Sequence, residues 1–98
     1  MDLPACTEKI RQKLGQNSSL NATLKFDCGD DGVIFVDALA NPHFVNNQNA
    51  EASCTVSLTL SDLVDLLAGQ LNPVSGFMSG KLKLAGDMSI AMRLQKVV

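Results

Sequence analysis

The stretch "ASCTVSLTL", residues 52–60, limits the possible folds more than any other part of the chain. Ala52, Cys54, Val56, Leu58 and Leu60 alternate without a fault with Ser53, Thr55, Ser57 and Thr59. A period of two puts the first set on one face of a β-strand and the second on the other. One face belongs to a core and the other is wet, so the sheet needs cover on one side only. "GKLKLAG" repeats the pattern, with Leu82 and Leu84 inward and Lys81 and Lys83 outward. Upstream, "NATLKFDCGDDGVIFVDA" reads as a hairpin in which Ala22, Leu24, Phe26 and Cys28 alternate with Thr23, Lys25 and Asp27. "GDDG" supplies the turn, and the continuous apolar run "VIFVDA" suits a more central strand. The loop "NPHFVNNQN" holds a short edge strand around Phe44 and Val45.

Helical periods fill the gaps between these strands. "DLPACTEKIRQKLG" is predicted as a first helix with Asp2 as cap, Pro4 in its first turn and Gly15 as its stop. Its stripe of Leu3, Cys6, Ile10 and Leu14 is thin, which predicts a surface helix only lightly anchored. "SDLVDLLAGQLNP" is a second helix, with Ser61 as cap and Asp62 and Asp65 in the first turns where the dipole favours them. Leu63, Leu66 and Leu67 form its buried stripe, and "PVSGFMS" adds a further turn presenting Phe77 and Met78. From Asp87 a last helix leaves Ser89, Arg93 and Lys96 on one narrow polar edge, with Met88, Ile90, Ala91, Met92, Leu94, Val97 and Val98 around the rest. Such a helix has apolar surface to spare and should touch the core on one side and something else apolar on the other. One-faced strands require all helices on the same side, which predicts a two-layer α+β fold with a curved, mainly antiparallel sheet.

Composition excludes several function classes. A chain of 98 residues is expected to form one domain, 1–98. Residues 27–65 hold Asp27, Asp30, Asp31, Asp37, Glu51, Asp62 and Asp65 with no Lys or Arg, and all eight basic residues flank that block. An acidic middle with mildly basic ends, no Trp, no Tyr and four Phe is not a nucleic-acid footprint. Cys6, Cys28 and Cys54 are odd in number and widely spaced, which fits buried reduced thiols better than a redox or metal role. "MDLPACTEKIR" has no secretory pattern and no apolar run nears a membrane span, so a soluble, cytoplasmic protein is expected and the glycosylation matches at Asn17 and Asn21 are chance. His43 has no evident nucleophile beside it, no two of the cysteines and His43 have metal-ligand spacing, and "GKLKLAG" lacks P-loop spacing. Neither an enzyme nor a cofactor site is predicted.

Surplus apolar surface rich in methionine is what remains. Met78, Met88 and Met92 fall beside Phe77 in the last quarter of the chain. Flexible thioethers suit either an irregular core or a wall that fits ligands of varied shape. At about 24 cal/mol per Å3, an empty void of about 300 Å3 would cost roughly 7 kcal/mol, comparable with the whole stability of a small domain. A pocket here is therefore expected to be partly collapsed or filled, and its ligand should stabilise the fold.

"LNPVSGFMSGKLKLAGDMSIAMRLQ" resembles the C-terminal signature of the sterol carrier protein 2 (SCP2) domain family: an Asn-Pro turn, a Gly-Lys-Leu-Lys strand, a Gly-Asn or Gly-Asp, then a Met-rich Ala-Met-Lys-Leu-Gln helix. The preceding "EASCTVSLTLSDLVDLLAGQLNP" resembles the strand and helix leading into it. The resemblance covers residues 51 to 96 closely and implies a five-stranded sheet covered on one face by helices, with an apolar tunnel between them. It is to a free-standing, bacterial-type member, and since the chain ends "QKVV" no peroxisomal signal is implied. It implies binding and transfer of a lipid without catalysis: a fatty acid, fatty acyl-coenzyme A or sterol, with a fatty acid or acyl thioester as first choice. Carried over by position, it places Phe77, Met78, Met88, Met92 and Gln95 near the tunnel, with Leu63, Leu66 and Leu67 opposite. Strand phase adds Phe26, Ile34 and Val56 from the inner sheet face. Arg93 and Lys96 are expected near an opening, to meet an anionic head group or make transient contact with a membrane. A monomer is expected. The alternative is an interaction module that docks a partner protein or presents a lipid intermediate to a lipid-metabolising or biosynthetic complex.

Overall fold

A computed structural model describes residues 1–15 and 20–94. Five strands, β1 (Thr23–Asp27), β2 (Val33–Asp37), β3 (Phe44–Asn46), β4 (Cys54–Ser57) and β5 (Lys83–Gly86), form one sheet in the order β3-β2-β1-β4-β5. Helices α1 (Leu3–Leu14), α2 (Leu60–Leu67), α3 (Pro73–Met78) and α4 (Met88–Ala91) accompany it, with a 3₁₀ turn at Gly29–Asp31. The α+β class and the five-stranded sheet agree with the sequence. Three ladders are antiparallel, and β1 lies parallel to β4, with Phe26 opposite Val56. That mixed pairing joins segments about thirty residues apart, beyond what local periodicity reports.

The inner face follows the alternation. Leu24 and Phe26 stand opposite Val36 and Ile34 on one side and beside Cys54 and Val56 on the other. All six are buried, in one core with Leu63, Leu66 and Leu67 of α2 and with Ile90, Ala91 and Leu94 at the end of the described chain. Phe35 takes the opposite phase and is also buried, 7% exposed, its ring 6.2 Å from that of Phe44. The outer face is therefore not uniformly wet. The connection from β3 to β4 crosses it, with Lys25 donating to Asn49 Oδ1 at 2.9 Å and the Ser53 amide donating to Thr23 Oγ1 at 2.9 Å.

Two boundaries differ from the sequence reading. Thr59, not Ser61, caps α2, its hydroxyl accepting from the Asp62 amide at 3.1 Å. Leu60 thus begins the helix and does not extend the strand. Ser ranks above Thr as a cap, but both can serve, and the earlier start lets Leu63, Leu66 and Leu67 reach the core in the first two turns. The last α-helix, too, is a single turn of Met88–Ala91, with Met92 and Arg93 in a turn after it; residues 95–98 of the expected helix lie outside the described residues.

α1 is anchored far more firmly than its thin stripe predicts. Cys6 and Ile10 have no exposed surface and Leu14 almost none. Asp2 Oδ1 accepts from the Ala5 amide at 3.0 Å, and Gly15, at φ +66°, ends the helix. Polar contacts that hydropathy does not register complete the attachment. The buried Thr7 hydroxyl donates to Leu3 O and accepts from Asn47 Nδ2, which also donates to Val33 O. Arg11, paired with Glu8, reaches across and donates from Nη2 to Val45 O at 2.7 Å. Because the Ala38 amide donates to Ala22 O, the peptide groups of Val36 face β1, and by alternation those of Val45 face away from the sheet. Arg11 therefore occupies a carbonyl on the open edge, where an unpaired strand would otherwise recruit another chain.

The three cysteines are free and buried. Burial pushes all three thiols up. Cys28 rises to about 11, mainly through burial and further through Cys6, Asp31 and Asp27.

Two outcomes follow for stability. Replacing Ile10 by Ala should cost about 3 kcal/mol in urea unfolding, whereas Lys9→Ala on the exposed side should change it by less than about 0.5 kcal/mol; equal effects would mean that α1 is not anchored as described. The thiols supply the pH dependence. Between their ordinary value of 9.0 and about 11, unfolded thiols ionise while the folded Cys28 keeps its proton. The folded state then binds more protons, so the thiol contribution to stability should be constant below pH 9 and stability should fall as pH rises through that window. Urea midpoints at pH 8 and pH 10.5 test this, and a Cys28→Ser variant should show a smaller fall.

Candidate functional site

The last quarter of the chain builds an apolar groove from three short elements. Asn72 starts α3, its side chain accepting from the Val74 and Ser75 amides at 2.9 and 3.4 Å, and Pro73 occupies the first turn where no amide is needed. The chain then doubles back, because the amides of Lys81 and Leu82 both donate to Gly76 O, at 2.9 and 3.1 Å. Gly76 permits this: a Cβ there would stand 2.9 Å from the Leu82 side chain. β5 follows with Leu84 opposite Val56. At Gly86, φ +104°, the strand turns into α4; a Cβ at that position would lie 2.3 Å from Ser53 O, so only glycine fits. Asp87 caps α4, accepting from the Ser89 amide at 2.9 Å and the Ser89 hydroxyl at 2.7 Å. These bonds, and the nearby Arg93, hold the Asp87 carboxyl below its ordinary range.

The resulting groove has a volume of about 320 Å3. Pro73, Val74 and Phe77 come from α3, Leu84 from β5, and Met88, Ala91 and Met92 from the α4 turn. Among the described residues, no charged side chain lines it. Met92 is 85% exposed, Met88 61% and Val74 57%, an unusual concentration of large apolar surface in a chain of this size. The α4 turn does divide its surface as the residue pattern implies, since Ile90, Ala91 and Leu94 are buried while Met88 and Met92 face outward.

Of the residues singled out from the sequence, the structure brings Phe77, Met88 and Met92 together at this groove. Met78 is exposed on α3 outside its lining, and Gln95 lies outside the described residues. Phe26, Ile34, Val56, Leu63, Leu66 and Leu67 are elsewhere: between 0% and 4% exposed, they pack on one another in the core rather than line the groove. Strand phase identifies the inward face but not which inward residues border a space. Pro73, Val74, Leu84 and Ala91 were missed, although Val74 precedes Phe77 by three, Ala91 follows Met88 by three, and Leu84 is in the inward phase of β5.

Of the two cations expected near an opening, Arg93 donates from Nη1 to Leu20 O at 2.7 Å and Lys96 lies outside the described residues. Lys81 and Lys83 are exposed, and together with Ser57, Thr59 and Asp62 they border a separate depression. His43 Nδ1 donates to Ala40 O at 2.9 Å. Among the described residues, no group of three His, Cys, Asp or Glu side chains is arranged to hold a metal ion, and no helix is long and apolar enough to cross a membrane.

Comparison with known proteins gives this groove its context. A family model described as the SCP-2 sterol transfer family matches residues 5–98. Sterol carrier protein 2 of Oryctolagus cuniculus is 45% identical over 51 residues, 52% of this chain; the match spans only 9% of that relative. The crystal structure of sterol carrier protein 2 like 2 from Aedes aegypti superposes with a TM-score of 0.74 at 22% identity, covering 98% of this chain and 95% of that one. The solution structure of the palmitated form of that Aedes aegypti protein gives 0.71 at 22% identity, covering 99% and 94%. At such identity the two superpositions speak for the fold, and the family match rests on sequence. The chain belongs to the SCP-2 sterol transfer family, whose domain is a lipid-binding and transfer fold.

Proposed function

We propose that the groove between α3, β5 and α4 takes up the hydrocarbon chain of a single-chain lipid, a fatty acid or fatty acyl thioester, and that the protein binds and transfers this lipid without chemical change. The observation that carries the reading is the lining: seven apolar side chains from three elements, with two methionines exposed at the rim. A surface like this loses free energy in water and gains it when covered, at about 25 cal/mol per Å2. Unbranched thioethers adjust to the contour of what covers them.

Shape favours a chain over a ring system, because a flexible chain can follow an open groove and leave its remainder outside. If each methylene fills about the volume of one water in the liquid, ~30 Å3, a groove of 320 Å3 seats roughly ten chain carbons. Burying ten methylenes at about 0.8 kcal/mol each contributes roughly 8 kcal/mol before the cost of association, which corresponds to a dissociation constant that is micromolar or weaker. Among the described residues the groove offers no charged partner, which favours a head group left at the rim in water.

Ligand binding to the folded state raises its melting temperature by mass action. At a hundredfold excess over the dissociation constant the gain is about 2.7 kcal/mol, or roughly 10 °C for a domain of this size. Laurate or palmitate should give such a shift and cholesterol should give little. Met92→Asp, which sets a carboxylate in the groove wall, should weaken uptake of a fluorescent fatty acid by roughly tenfold or more. Lys83→Ala should leave affinity within about twofold. Equal affinities in the two variants, or no melting shift with any lipid, would remove this assignment and leave partner docking as the use of the exposed face.

A further inference from the structure

α4 is one turn long, and a helix of four residues has no stability of its own. Its position, and with it the width of the groove, is dictated by what holds it. At its start the Asp87 amide donates to Ser53 O at 2.8 Å, beside a Gly86 that cannot be replaced without a clash. Along its inner side Ile90, Ala91 and Leu94 are buried. Its far end lies between Ala91 and the fully buried Leu94, and among the described residues it carries one long-range polar bond, from Arg93 Nη1 to Leu20 O at 2.7 Å, across 73 residues of sequence. Arg93 is in the turn that follows α4, and its guanidinium meets Leu20 and does not line the groove bordered by Met88 and Met92.

We propose that Arg93 is a positioning residue that acts as a latch: its bond to the Leu20 carbonyl fixes the distance of α4 from α3, and breaking it opens the groove for a chain to enter or leave. The use of the groove for lipid rests on the preceding reading; the effect of the latch on α4 does not. The two attachments differ in kind. The start of α4 is fixed by backbone next to a constrained glycine, whereas the end is fixed by the burial of Ala91 and Leu94 together with a flexible side chain that can let go and re-form its bond. A turn held in this way pivots at Gly86 and swings at Met92, and Met92 is the most exposed residue of the groove wall.

Arg93→Met keeps the apolar stem and removes the donors, and Arg93→Lys keeps the charge and one donor group. Two measurements apply. In the protein without added lipid, the methyl NMR signals of Met88 and Met92 should shift or broaden in Arg93→Met, while signals from Leu63 and Ile34 stay in place. In stopped-flow displacement of dansyl-labelled undecanoic acid, the release rate should rise roughly tenfold, the scale of one charge-assisted hydrogen bond, with partial recovery in Arg93→Lys. Unmoved methionine signals, or release at the rate of the unaltered protein, would overturn the latch. Failure of the unaltered protein to bind the probe would count against the lipid reading, and the methyl signals would still decide the latch. Should Arg93→Met not fold, Arg93→Gln, polar but too short to span to Leu20, carries the same expectation.

Discussion

The inward face of β1 is the constraint on which the rest of the molecule depends. Leu24 and Phe26 meet Val36 and Ile34 on one flank and Cys54 and Val56 on the other, so one apolar surface exists before any helix is added. A chain of this size has little apolar area beyond that needed to bury such a face. Every helix is therefore committed to it: α1 through Cys6, Ile10 and Leu14, α2 through its leucines, and α4 through Ile90 and Ala91. What is left over at one end, between α3 and α4, is the groove. Its existence follows from geometry as much as from composition, because Gly76 and Gly86 fold three short elements into a corner that the large helices do not reach.

Short elements need fastening, and here polar bonds do this at the margins of an apolar core. Two arginines play parallel parts. Arg11 joins α1 to the outward carbonyl of Val45 on the edge strand, and Arg93 joins the end of α4 to the carbonyl of Leu20. Each is a charged donor on a backbone acceptor, a class of bond worth more than a neutral one because the charge strengthens it. Asn47 adds a third link, between Thr7 on α1 and Val33 at the start of β2. Apolar burial chooses which faces meet, and these bonds set where the meeting stops.

If the groove holds a lipid as proposed, the lack of charged side chains among its described lining residues would let the chain be released as well as held. Hydrocarbon contact is non-directional and grows with area, so a chain can slide in without crossing a barrier made of specific bonds. Methionine side chains lower that barrier further, since they change rotamer at small cost. A salt bridge to a head group within the groove would favour retention over transfer; Arg93 is bonded to Leu20 O, and Lys81 and Lys83 border a separate depression.

Much of the fold was legible in the residues, for a local reason. The alternation of residues 52–58, the cap at Asp2, the start of a helix at Asp87 and the stop at Gly15 all act within one turn or one strand, so the sequence alone determined most of which segments are strands, which are helices and which face of each is apolar. The signature from Leu71 to Gln95 likewise placed the chain in its family, since the order of short motifs along the chain is itself a sequence property. Pairing and depth were decided only by tertiary structure. That β1 runs parallel to β4, that Thr59 rather than Ser61 begins α2, and that α1 is firmly held through Thr7 and Arg11 all depend on partners tens of residues away or on a choice between two residues that can both cap. The same holds for the site. Phe26 and Leu63 share the apolar character of Phe77 and Met92, yet the first two are packed solid and the last two border a groove. Periodicity assigns a side chain to a face, but whether that face meets a neighbour or a space is settled by how the elements close on one another.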